Sequence, residues 1–175
     1  MIPTPKRVLV LSTTTGYQTR SFGEAAERLG VELVLATDRC DQLDDPWRDS
    51  AVPVRFFDEE ASLQAIIEAS RMRPLQGVIA LGDRPTVLAA RVAEVLHVPG
   101  NPVAAAEISR SKLATRERLA SAGLAAPWFR RVDLDLEPAR LARELSFPCV
   151  LKPLGLSGSR GVIRTDNTTQ FVAAF

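Results

Sequence analysis

Short apolar runs alternate with amphipathic stretches through the first hundred residues. Arg7-Val8-Leu9-Val10-Leu11 is rich in branched residues and predicts a buried strand. Residues 20–29 place Phe22, Ala25, Ala26 and Leu29 at the i, i+3, i+4, i+7 spacing of a helix face, and Gly30 supplies a stop. Residues 31–36 predict a second strand. Strand, helix and strand within about thirty residues form a right-handed βαβ unit with parallel strands. Residues 52–57 predict a short strand that Pro53 confines to a sheet edge. An amphipathic helix over 61–72 carries Leu63, Ile66 and Ile67. Residues 77–81 predict another buried strand, and Pro85 suits the first turn of a helix over 86–96. The fold class is therefore α/β, with a small parallel, Rossmann-like sheet covered by helices.

Val98-Pro99-Gly100-Asn101-Pro102 interrupts this pattern and places a domain boundary, giving domains 1–100 and 101–175. Residues 103–122 predict one or two helices, with Ser109 or Ser111 as the break or cap. Lys112 and Arg116 stand i, i+4 on one face, which by itself describes a solvated basic surface. Gly123 ends that helix, and residues 127–132 predict a strand. A short helix over 137–145 has Pro138 in its first turn. The run Cys149-Val150-Leu151 then predicts a buried strand and Val162-Ile163 a return strand. After a turn at Asp166-Asn167-Thr168, residues 170–175 begin a helix.

Composition narrows the function. The chain has 175 residues, 46% hydrophobic and 25% charged, a soluble globular profile. A formal net charge of +1 argues against a general nucleic-acid or membrane surface. No apolar run has the length of a membrane helix, and 8–11 is too short for a signal-peptide core. Cys40 and Cys149 lack metal-ligand spacing and read as reduced thiols of a cytoplasmic protein. His97 is the single histidine and sits at a helix end, which disfavours Ser-His-Asp and Cys-His chemistry.

The loop between the last two strands carries the chemistry. Lys152 stands at the exit of the first strand, followed by Gly155, Ser157, Gly158, Ser159, Arg160 and Gly161. Small residues let backbone N–H groups approach an anion, and Lys152 and Arg160 add charge. A P-loop requires Gly-Lys-Ser/Thr leading into a helix; here Arg160-Gly161-Val162 leads into a strand. The spacing of the glycines also departs from the dinucleotide fingerprint. A polyphosphate cradle and a plain glycine-rich hairpin both fit these residues. Three further loops, Thr13-Thr14-Thr15-Gly16, Thr37-Asp38-Arg39 and Gly82-Asp83-Arg84, follow strands whose carboxyl ends are where α/β sheets collect ligands. They also fit as turns alone.

Pro148-x-x-x-Lys152-Pro153, the Gly/Ser flap, Gly161-Val162 and the helix Ser111-Lys112-Leu113-x-x-Arg116 together resemble the ATP-grasp superfamily. The likeness extends to element order: a pre-ATP-grasp domain, then the first, incomplete part of a grasp. It implies ATP as cofactor, with Lys112 and Lys152 on the phosphates, Ser157, Gly158, Ser159, Arg160 and Gly161 as the closing flap, and Val150 beside the adenine. It implies a ligase that converts a small-molecule carboxylate to an acylphosphate and joins it to an amine or other nucleophile. Thr13, Thr14, Thr15, Gly16 and Asp83 would face the substrate. Mg²⁺ is implied too, with its ligands, the adenine-hinge glutamate and the catalytic arginine in a second half beyond Phe175, so that this chain alone would be inactive. Asp166-Asn167 looks like a metal pair but reads as a turn. Partners would be small molecules, with neither nucleic acid nor membrane, and a homodimer is compatible. The rival readings are a nucleotide- or small-molecule-sensing module without catalysis and a nucleotide-independent Rossmann-like binding domain.

Overall fold

The computed structural model describes residues 5–13, 17–38 and 51–175. Thr14, Thr15, Gly16, Arg39, Cys40 and the loop expected over 40–50 lie outside these residues. Two compact units divide the chain, Met1–Arg110 and Ser111–Phe175.

The first unit runs β1 (Arg7–Ser12), α1 (Tyr17–Leu29), β2 (Glu32–Thr37), β3 (Ala51–Pro53), α2 (Glu59–Arg71), β4 (Gly77–Leu81), α3 (Thr86–Val95) and α4 (Val103–Arg110). Its four strands are parallel in the order β3-β2-β1-β4. The two-residue period of the strands sorts their side chains into two cores. Leu9, Leu11, Val34 and Ala36 pack against Leu63 and Ile66 of α2 and Leu88 and Val92 of α3. Val10, Leu33 and Leu35 face the other way, onto Ala26 and Phe22 of α1. Helices on both faces explain why β1 and β2 read as continuous apolar runs.

Capping residues set the helix ends. Gly30, at φ +63°, closes α1 with the paired bonds Gly30 N–H to Glu27 C=O and Val31 N–H to Ala26 C=O. His97 closes α3 in the same geometry at φ +52°, with His97 N–H to Glu94 C=O and Val98 N–H to Ala93 C=O. The lone histidine is therefore a helix-end residue. Asp58 caps α2 through its carboxylate, which accepts from Ala61 N–H at 3.0 Å. Charge ties the helices together: Arg91 on α3 bonds Glu60 at 2.6 Å, and Arg110 on α4 reaches Glu59 at 3.5 Å. Hydrogen bonding to Arg91, and then to Gln64, holds the Glu60 carboxyl below its ordinary range. Because α4 packs Ala106 and Val103 onto Val87 and Ala90 of α3, the first unit continues past the Pro-Gly-Asn-Pro break to Arg110.

The second unit runs α5 (Lys112–Ser121), α6 (Pro138–Ala142), β5 (Cys149–Leu151), β6 (Ile163–Thr165) and α7 (Thr168–Ala174). β5 and β6 pair antiparallel, with Cys149 opposite Thr165 and Leu151 opposite Ile163. Leu141, Ala142 and Phe171 form the core beneath this ribbon, joined by Phe147, Leu145 and Leu151.

Four expectations change. Residues 127–132 form no strand, because no described neighbour offers them a ladder; Arg130 instead pairs with Glu144 at 2.8 Å and holds that carboxyl below its ordinary range. Leu29 is 76% exposed, since α1 runs on beyond the surface that buries Ala26. β4 is half-buried along its whole length because it is the sheet's other edge. β5 is likewise not fully buried, and Val150 is 51% exposed, because only one face of a two-stranded ribbon is packed. No helix among the described residues is long and apolar enough to cross a membrane.

Candidate functional site

The second unit gathers ten Lys or Arg residues against six Asp or Glu, so the chain's small net charge conceals a distinctly cationic half. Two of those cations frame the loop from 152 to 162. Lys152 leaves the end of β5 exposed to solvent and has no hydrogen-bond partner among the described residues. Lys112 is the first residue of α5, whose N-cap Ser111 accepts from Ala114 N–H at 3.2 Å. Its ammonium donates to the backbone carbonyls of Leu156 at 2.5 Å and Leu154 at 3.4 Å. The structure thus brings Lys112 to the flap, forty-odd residues away in sequence.

The flap is two successive turns. Arg160 N–H bonds Ser157 C=O at 3.3 Å, and Val162 N–H bonds Ser159 C=O at 3.3 Å. Gly158 and Ser159 both have positive φ, as the two central residues of a type I′ turn do. Gly161, at φ +67°, occupies the third position of the second turn. Arg160 turns its Nε back onto Ser157 C=O at 3.1 Å, so part of its donor set supports the loop itself. Ser157, Gly158, Ser159, Arg160 and Gly161 therefore stand together on one loop beside Lys112.

Gly161 is constrained twice over. A Cβ there would stand 2.7 Å from Cγ of Pro153, and its φ is costly for any L residue. A Cβ on Gly155 would meet nothing within 4 Å at an ordinary φ. Gly161→Ala is expected to distort the flap at a cost of about 1–3 kcal/mol, whereas Gly155→Ala stays within about 0.5 kcal/mol. Thermal unfolding and MgATP titration of the two variants side by side check this. Equal behaviour would show that the Pro153–Gly161 contact does not shape the flap.

In the first unit, parallel register sets Ser12 beside Thr37 and Leu81, which brings the chain past β1, β2 and β4 to one edge. Thr13 and Asp38 lie half-buried and Asp83 exposed on that carboxyl edge. Among the described residues, no group of three or more His, Cys, Asp or Glu side chains is placed to hold a metal ion. Asp166 is taken by Arg164 at 2.8 Å, and Asn167 caps α7 by accepting from Gln170 N–H at 3.0 Å. The described residues accordingly do not fit a resident Mg²⁺.

Two features of the site were hidden in the sequence. Acceptance by the Leu154 and Leu156 carbonyls leaves no mark on residue type. The aromatic pair behind β5, Phe147 and Phe171 with ring centres 6.3 Å apart, was visible only as two separated apolar positions.

Residues 23–100 match the ATP-grasp N-terminal domain family. An L-amino acid ligase from Bacillus licheniformis superposes on 97% of this chain and 41% of its own, with a TM-score of 0.76 and 28% identity. The N5-carboxyaminoimidazole synthase of Aspergillus clavatus, solved with ADP and 5-aminoimidazole ribonucleotide, shares the fold over 97% of this chain and 43% of its own, with a TM-score of 0.68 and 22% identity. A curated relative, the uncharacterized protein y4rH of Sinorhizobium fredii, is 31% identical over 162 residues, covering 90% of this chain and 33% of that protein. The chain thus spans about a third of its curated relative and about two fifths of these solved chains. Residues 23–100 are thus an ATP-grasp N-terminal domain by their match, and the chain as a whole shares its fold with this ligase and this synthase.

Proposed function

We propose that this chain is part of an ATP-dependent ligase that joins the carboxylate of one amino acid, or a similar small molecule, to an amine. One observation carries the reading: a lysine at the exit of β5 and a lysine on α5 flank a Gly/Ser flap within one compact, cationic unit. The 28% identity to an L-amino acid ligase supports amino acids as the substrate class.

The chemistry asks little of the protein beyond placement and charge. A carboxylate oxygen attacks the γ-phosphorus of ATP, ADP departs, and an acylphosphate forms. The amine nitrogen then attacks the acyl carbon, inorganic phosphate leaves, and the nitrogen loses a proton as the amide forms. Lys112 and Lys152 hold the phosphate oxygens as point charges, and flap N–H groups add neutral donors. The closed flap keeps water from the acylphosphate. Thr13 and Asp83, on the carboxyl edge of the parallel sheet, are assigned to the small-molecule substrate. Mg²⁺ accompanies ATP in solution. The described residues offer it no carboxylate cluster.

Phosphate release is the test, in a protein of the relatives' full length that carries this chain. With MgATP present, release should require an amino acid and rise further with a second one as amine. Release that ignores every amino acid pair would remove the substrate class, and failure of MgATP to bind would remove the ligase reading.

A further inference from the structure

Lys112 stands where a helix gains nothing from it. A cation in the first turn opposes the helix dipole and is mildly destabilising there. Ser111 already caps α5 through its hydroxyl. The position is explained by what the ammonium touches. It has three N–H donors. Two have acceptors, the carbonyls of Leu154 and Leu156, and the third remains for another group. The flap's own bonds, Arg160 to Ser157 and Val162 to Ser159, are confined to its tip. Among the described residues, Lys112 supplies the hydrogen bonds that tie residues 154–156 to a part of the chain outside the flap.

We propose that Lys112 is the positioning residue of the flap, with two donors fixing the Leu154 and Leu156 carbonyls and the third meeting a phosphate oxygen. One ammonium then holds the flap and the anion together. The partial negative charge of two carbonyls keeps it oriented before the anion arrives. Because the coupling is reciprocal, an anion bound to Lys112 must order the flap by as much as the ordered flap favours the anion. The tether stands on the hydrogen bonds alone, and only its third donor rests on the nucleotide reading above.

Amide exchange followed residue by residue in this chain separates the two parts. Wild type, Lys112→Met and Lys112→Arg are compared without and with saturating MgATP. Losing the two bonds to the Leu154 and Leu156 carbonyls should speed exchange at the Arg160 and Val162 amides at least about fivefold in Lys112→Met without nucleotide. The buried Thr165 and Phe171 amides should keep their rates, which shows that the unit remains folded. Lys112→Arg, still a donor, should restore most of the protection. MgATP should slow the two flap amides further in wild type and leave them unchanged in Lys112→Met. Equal nucleotide-free rates in wild type and Lys112→Met overturn the tether. Faster flap exchange in wild type on adding MgATP overturns the bridge, because it means that phosphate and carbonyls compete for the ammonium. If wild type binds no MgATP, the ligase reading fails, while the nucleotide-free comparison still decides the tether.

Discussion

Lys152→Ala is expected to abolish nucleotide-dependent phosphate release, lowering turnover by at least about 10²–10³-fold, the scale at which removing one preorganised charge-stabilising group acts. The side chain is exposed and has no hydrogen-bond partner among the described residues, so truncation removes no packing and should leave the thermal midpoint within about a degree or two. What is lost is the point charge at the exit of β5. Lys152→Arg keeps the charge but replaces a compact ammonium with a planar fork, and should recover only part of the activity. In the present chain the same variants should weaken MgATP binding in the same order, as read by calorimetric titration. Unchanged turnover in Lys152→Ala, with its midpoint also unchanged, would mean that the β5 lysine is a surface residue and that the site lies elsewhere.

The order of elements was legible because the chain repeats its hydrophobic period cleanly where two faces must be covered. Leu9 and Leu11 alternate with Val8 and Val10, and the structure sends them to opposite helix layers. Hydrophobicity reports that a run is a strand but not where it lies in a sheet. β4 and β5 therefore read as buried although each has an open side. Residues 127–132 have strand propensity, yet a strand exists only beside a partner backbone, and sequence carries no record of that partner. The flap glycines were legible as glycines. Why Gly161 must be one depends on a proline ring eight residues earlier, a contact created by the turn itself. Lys112 was recognisable as a cation on a helix, but its acceptors are backbone carbonyls, and those are the same in every residue.

Phe171→Ala carries the largest expected stability cost. Phe171 is 1% exposed and sits at the centre of the second unit's core with Leu141 and Ala142. Its ring meets Phe147 edge-on at 6.3 Å and lies against Phe175 at 5.7 Å. Removing it leaves a cavity beneath β5 and costs about 3–5 kcal/mol. A small unit has little more than that to lose. The second unit should therefore melt at or near ambient temperature, with its amide resonances collapsing while those of β1 and β2 in the first unit stay dispersed. MgATP binding should fall with it, although Phe171 touches none of the assigned phosphate-binding residues, because β5 delivers Lys152 only while Phe147 and Phe171 support that strand from behind. Phe171→Leu keeps most of the volume and should cost less than about 1.5 kcal/mol, leaving the ribbon and its lysine in place. If Phe171→Ala instead keeps a dispersed second unit and full nucleotide affinity, the aromatic cluster is not what holds β5. The support for Lys152 would then have to come from the β5–β6 ladder alone.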